Sequence, residues 1–387
     1  MSVTCCVTVW QFLPPRIPIF VRYLPGSLFS SYMWISMNAR FRTASVLLLI
    51  FGLAACSIDV DLNAPPRDIW VVYGVLRAND TAQYIRISRG FLPESDALEY
   101  AKDNDLSAKG LLVSLSGGGR TYTAVEMDSV LKDPADGTFY PYTTLYRIST
   151  PGNLALSAGE RYELEITRPD EPDFFLRSQT RIPTEVTFLR PTFTPGPGRK
   201  RCLREINLET EVEVEFTQST AASYELRAYA DYTVNGSPRM ASFGPTALFE
   251  EDVRCNSSTI CYKFREKEIL AKFVSDVSPE FGNVYTFGVN DNNKCMDDPD
   301  NLPDDFRFEV TCMDEFLTNY RLANDPKFAD LNSVRQEYTN ITAPEGVDAY
   351  GILGSESRSY ARARLGPCSL YHLSFNNTPR PQDCADL

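Results

Sequence analysis

The sequence predicts a mostly β protein: two β-sandwich-like domains, the first immunoglobulin-like, with a short helix in the second. Three observations carry this. From Ile69 onward, short segments of period-two patterning recur, rich in β-branched and aromatic residues. Clusters of Gly, Pro, Asn and Asp punctuate them at turn-like spacing. The best helical pattern lies at residues 314–322, with Phe316, Leu317 and Tyr320 on one side and Pro326 beyond its end.

The elements follow in order. Residues 69–76 and 83–90 read as a strand pair across Arg77-Ala78-Asn79-Asp80, and residues 95–107 as a polar excursion or short helix. Residues 111–116 and 121–126 flank Gly117-Gly118-Gly119, a hairpin turn that needs positive φ. With 142–149, 161–167 and 174–181 this gives about seven strands, the size of an immunoglobulin-like sandwich, closed by Ile182-Pro183. A Pro/Gly loop at 191–198 leads into the second region. Its clearest strand is 208–217, with Leu208, Thr210, Val212, Val214 and Phe216 on one side. Segments 224–232, 260–264, 284–289 and 306–312 continue it; 350–353, 359–365 and 370–375 finish it.

Ahead of these strands, the apolar run 46–55 is too short to cross a bilayer, which takes about 20 residues. It has the length of a signal-peptide core, with Arg40 and Arg42 in front. It ends in Leu53-Ala54-Ala55-Cys56, a lipobox: small residues fit the peptidase's tight pockets, and the Cys56 thiol carries the lipid. Met37 opens a complete signal of this kind. The expected organisation is therefore 1–36, a mis-annotated N-terminal extension; 37–55, a lipoprotein signal peptide; 56–68, a lipidated tether stiffened by Pro65 and Pro66; 69–183, the immunoglobulin-like sandwich; and 184–387, a second β-rich domain with disulfides. The expected location is the outer membrane, lipid-anchored, on either its periplasmic or its cell-surface face.

The chain carries a net charge of −13, and the part after residue 55 carries −17. This argues against nucleic acid and against docking on anionic lipid. Seven cysteines follow Cys56. In an oxidising compartment they imply disulfides, and sequence order favours Cys255–Cys261, Cys295–Cys312 and Cys368–Cys384, leaving Cys202 over. There is no Cys-x-x-Cys and only one histidine, so no metal or cofactor is expected.

The order of several segments resembles a family. Trp70-Val71-Val72-Tyr73-Gly74 follows the tether, then Ile85-Arg86-Ile87-Ser88-Arg89. Leu156-Ser157-Ala158-Gly159-Glu160-Arg161-Tyr162-Glu163-Leu164 is a turn leading into a strand, and Thr180-Arg181-Ile182-Pro183 an exit. Cys261-Tyr262, Asn319-Tyr320-Arg321, Asn340-Ile341 and Gly351-Ile352-Leu353-Gly354 come later, with residues 342–350 intervening before the last. Together they resemble the Bacteroidota-type outer-membrane lipoproteins of the domain of unknown function 4249 family, from Cys56 almost to the end. The resemblance implies a tethered two-domain β protein, often encoded near TonB-dependent outer-membrane receptors, with no known catalysis.

Residues that carry chemistry elsewhere have plainer readings here. His372 lies in Leu370-Tyr371-His372-Leu373-Ser374-Phe375, which reads as an alternating strand, and no nucleophile-elbow sequence accompanies it. The acidic loop 290–301 lacks the acid spacing and central glycine of a helix-loop-helix calcium site. Glu94/Asp96, Glu250/Glu251 and Asp304/Asp305 are carboxylate pairs of the type glycoside hydrolysis uses, in a chain rich in exposed acids. The sequence thus favours a non-catalytic binding or accessory module for a TonB-dependent receptor, ligand unidentified. A surface adhesive or structural lipoprotein comes next, and a carbohydrate-active hydrolase last.

Overall fold

The computed structural model describes residues 69–384 apart from breaks at 79, 91–96, 134–139, 150–155, 193, 196–200, 249–254, 278–279, 281, 288–294, 297–305, 325–337 and 375–378. The lipobox, Cys56, the tether, the three carboxylate pairs and nearly all of the acidic loop lie outside the described residues.

β1 (Ile69–Arg77) and β2 (Ala82–Arg89) form the expected antiparallel pair, in register from Trp70↔Arg89 to Gly74↔Ile85. Their alternation sorts the side chains: Trp70, Val72, Leu76, Ile85 and Ile87 are buried, while Tyr73, Arg77, Tyr84 and Arg86 face the other way and are exposed. After α1 (Ala97–Asp103), β3 (Leu112–Gly117) and β4 (Arg120–Thr123) close a hairpin. Gly118 and Gly119 have φ +57° and +74°, the two left-handed positions such a turn demands. The segment expected as one strand at 121–126 is split at Ala124. β5 (Val125–Leu131) leaves the hairpin to pair with β6 (Tyr142–Ser149), while β7 (Arg161–Arg168) and β8 (Glu171–Arg181) extend the hairpin's sheet.

The second half adds β9 (Phe188–Arg190), β10 (Thr194–Pro195), β11 (Arg201–Cys202), β12 (Glu205–Ile206), β13 (Val212–Thr217), β14 (Ser223–Val234), β15 (Ser237–Leu248) and β16 (Thr259–Phe264). Then come α2 (Glu268–Val277), β17 (Tyr285–Phe287), β18 (Cys295–Met296), β19 (Phe306–Met313), α3 (Glu315–Asn324), β20 (Asp348–Leu365) and α4 (Pro367–Leu373). The expected strand at 208–217 begins only at Val212, because residues 207–210 form a turn. The segments 350–353 and 359–365 are parts of one 18-residue strand, β20. The expected strand at 370–375 is instead helix α4, entered through Gly366 and Pro367 at its first turn, where proline's fixed φ suits a helix start.

The main sheet runs β15-β14-β19-β20-β1-β2-β6-β5. Its centre is β20, antiparallel to β19 and parallel to β1 from Ile69↔Asp348 to Arg77↔Glu356. The sheet therefore continues across residue 183, where the sequence reading places a domain boundary, and residues 65–387 form one compact unit. Two sandwich cores share this sheet. In one, Val72, Ile85 and Ile148 pack with Val113, Leu164 and Leu176 of the β4-β3-β7-β8 sheet. In the other, Leu226, Phe306 and Phe308 pack with Val214, Phe216 and Phe264 of the β9-β13-β16 sheet, together with Phe273 of α2 and Leu373 of α4.

Two local devices hold the β1·β20 junction. Gly351 has φ +103°, and a Cβ there would collide with the Val72 carbonyl directly across the ladder. The Asn340 side chain donates to the Leu353 carbonyl and accepts from the Leu353 N–H, both at 2.9 Å, substituting for a neighbouring strand.

Disulfides join Cys255 to Cys261 and Cys368 to Cys384. The Cys295–Cys312 pairing favoured by sequence order does not occur. Cys312 is a free thiol buried on the core face of β19, its pKa pushed up to about 11 by burial. Cys295 belongs to β18, in the separate β10-β11-β18 ribbon, where the backbone register sets it opposite Cys202. Directly opposed residues of antiparallel strands have Cα atoms about 4.5–5.5 Å apart, within disulfide range.

Two outcomes follow. Gly351→Ala is expected to destabilise the protein by about 3 kcal/mol or more in urea unfolding, since it strains the backbone and breaks the ladder at once. Non-reducing peptide mapping is expected to recover Cys202 linked to Cys295, with Cys312 alkylated only after unfolding.

Candidate functional site

The main sheet has two unlike faces. One carries the shared cores. The other bears the alternate residues of the same strands, and register places them in rows. Arg358 stands opposite Thr311, which stands opposite Glu225; Tyr360 opposite Glu309, then Arg227; Arg362 opposite Arg307, then Tyr229. Across β1 and β2, Tyr73 faces Arg86, and Tyr84 faces Arg147 of β6. On these strands the arginines outnumber the acids Glu225, Asp231, Glu309, Asp348 and Glu356, in a chain of net charge −13.

Glu356 anchors this face. It is 2% exposed, and its Oε1 accepts from Arg77 Nε at 2.8 Å and Arg358 Nη2 at 2.7 Å; Arg321 Nη2 of α3 lies 3.9 Å from Oε2. Burial alone pushes this carboxyl upward, but the hydrogen bonds and charges of Arg77 and Arg358 outweigh it and hold Glu356 below its ordinary range. Arg321 also pairs with Glu225, tying α3 to β14.

Helix α3 sits directly on this face because Gly354 of β20 leaves room for it: a Cβ at 354 would come within 2.9 Å of Leu317 Cβ. Asp314 caps the helix, accepting from the Leu317 N–H at 2.8 Å, and its second oxygen accepts from Thr180 of β8. Burial raises the Asp314 carboxyl in spite of these donors. The Tyr320 ring of α3 lies 5.7 Å from that of Tyr73. Beyond the helix the surface is open: Tyr360 is 51% exposed, Tyr84 46% and Met240 53%. Arg307 lies over the Tyr229 ring at 4.9 Å and pairs with Asp231.

This surface presents arginine and tyrosine side chains, interspersed with acids, on paired strands. Such groups supply large contact area and planar donors for carboxylates at little entropic cost. The sequence reading assigned none of these residues a role, although their alternation with buried neighbours was visible. His372 lies partly buried on α4 with Nε2 3.6 Å from Glu209 Oε1. No family model matches the chain, and no curated protein aligns with it.

Glu356→Gln removes the charge that holds Arg77 and Arg358. Because the folded carboxyl titrates below its unfolded value, its stabilisation is present above about pH 4.3 and lost as pH falls through the folded pKa. With both arginines partly exposed, the variant is expected to lose about 1–2 kcal/mol at pH 7 and to converge on the wild type once the pH has fallen below the folded pKa of Glu356, as read by urea unfolding on acidification.

Proposed function

We propose that this chain is a lipid-anchored, non-catalytic binding module, held in the outer membrane through Cys56, that docks an acid-bearing protein partner on the open face of its main sheet. The observation that carries the reading is the concentration of arginine and tyrosine on that one face of an acidic chain. Complementary charge speeds encounter and selects the partner, while the exposed tyrosines contribute the buried contact. A TonB-dependent outer-membrane receptor is the proposed partner. That choice rests on the segment order shared with the domain of unknown function 4249 lipoproteins and on the lipobox. No chemical step is needed for this role.

The test is affinity capture from gently solubilised native membranes with the Cys56-lipidated protein as bait. Roughly stoichiometric recovery of a TonB-dependent receptor is expected, weakened by salt, as rim charges require. Paired charge reversals Arg86→Glu and Arg147→Glu, which leave the Glu356 cluster intact, are expected to cut recovery by about tenfold or more. Recovery of the bait alone would shift the reading to a free-standing adhesive lipoprotein; recovery unaffected by the reversals would move the interface elsewhere.

A further inference from the structure

One cluster of metal-ligating side chains lies around helix α4, which follows β20 directly. Helix α4 places Cys368 and His372 at i and i+4, one turn apart on the same side. Cys384 returns from the C-terminal turn, where its N–H donates to the Pro381 carbonyl and its own carbonyl accepts from Arg380. The fourth member, Glu209, comes from the turn between β12 and β13. That turn is locked to α4: the Leu208 N–H donates to Ser369 Oγ at 2.9 Å, and Ser369 Oγ donates to Asn207 Oδ1 at 3.1 Å. A Glu209 carboxylate oxygen and the sulfurs of Cys368 and Cys384 all lie within 4.8 Å of one another.

The arrangement leaves one group unexplained. Glu209 Oε1 is fully buried and has no hydrogen-bond partner; His372 Nε2, at 3.6 Å, is beyond hydrogen-bond reach. A buried carboxylate oxygen without a donor is costly, and with a neutral His372 beside it no counter-charge is present among the described residues. A cation held among Glu209, Cys368 and Cys384, with His372 Nε2 beside Glu209 at the edge of the group, would supply it.

We propose that Glu209, Cys368, His372 and Cys384 form a redox-gated zinc site. In the oxidised chain the two cysteines are the disulfide that braces the C-terminus. A dithiol reductant transfers two electrons and two protons to this bond and becomes a disulfide itself. The two freed thiols then release two protons as they bind Zn2+, joined by the neutral imidazole and the carboxylate. Two sulfurs, one nitrogen and one oxygen give the four ligands that tetrahedral zinc takes. The C-terminal segment thereby stays fastened to α4 in either redox state, by a covalent bond or by the metal.

The test uses the full lipidated chain in detergent, reduced anaerobically and freed of reductant. One equivalent of Zn2+ is expected to slow alkylation of Cys368 and Cys384 by more than about tenfold, while Cys255 and Cys261 react as before. Co2+ as a probe is expected to give the intense visible bands of a tetrahedral thiolate complex. Glu209→Gln and His372→Gln, both of which keep the oxidised disulfide, are each expected to weaken zinc binding by at least about tenfold. Equal alkylation with and without zinc overturns the proposal. So does protection that neither substitution changes. Near-ultraviolet circular dichroism of the oxidised variants verifies that each is folded before it is scored.

Discussion

The parallel contact between β1 and β20 is the interaction on which the rest of the structure depends. It joins the first described strand to the last and lets one sheet serve two cores. Parallel pairing puts strands of distant sequence side by side, so the loop-closure cost is met late and must be recovered from packing. The recovery is visible on both sides of the ladder. Val72 and Leu353 enter the first core, and Val75 and Ile352 meet Leu317 of α3 on the opposite face. Gly351 and Gly354 make these approaches possible, one by backbone conformation and the other by lack of a side chain.

The same junction sets the arrangement of the open face. Glu356 and Arg77 are register partners on β20 and β1, so their ion pair reports the correct seating of those strands. Arg358 and Arg321 extend the pairing to the next position on β20 and to the helix above it. A buried carboxylate flanked by arginines contributes little net stability compared with apolar packing, but a slipped register would leave it uncompensated. The arginines that remain at the rim are thereby presented on a rigid frame.

Much of this fold was legible. Period-two alternation located β1, β2, β6, β7 and β8 to within a few residues, the glycines at 118 and 119 announced their turn, and Asp314 marked the start of α3. The departures have physical causes. β15, with Pro238, Gly244 and Pro245 in its length and much of its surface exposed, lacks the alternation that reveals a half-buried strand. α2 carries Ile269, Leu270, Phe273 and Val277 at helical spacing, a signal present in the sequence that the reading passed over. The run around His372 alternates by residue type, yet Gly366-Pro367 and a tertiary seat against β12 make it a helix. Sequence neighbours did pair at Cys255–Cys261 and Cys368–Cys384, but the seat of Cys312 on the core face of β19 and the sheet that crosses residue 183 depend on strands brought together from far apart, which local pattern does not encode. The open arginine–tyrosine face was hidden for the same reason, since its rows exist only once β14, β19, β20, β1, β2 and β6 are aligned.

The position of β1 also decides how the molecule bears load. The chain enters the described fold directly at Ile69, in a strand held on both edges, by β2 on one side and β20 on the other. A pull applied at that end runs along the strand, so the ladder bonds on both edges are strained together in shear and do not open one at a time. The hydrogen bonds least able to peel are those nearest the end where tension from the proposed membrane tether would arrive. A partner tugging against such an anchor would load these two ladders first, and forced unfolding is slowed because both must shear together.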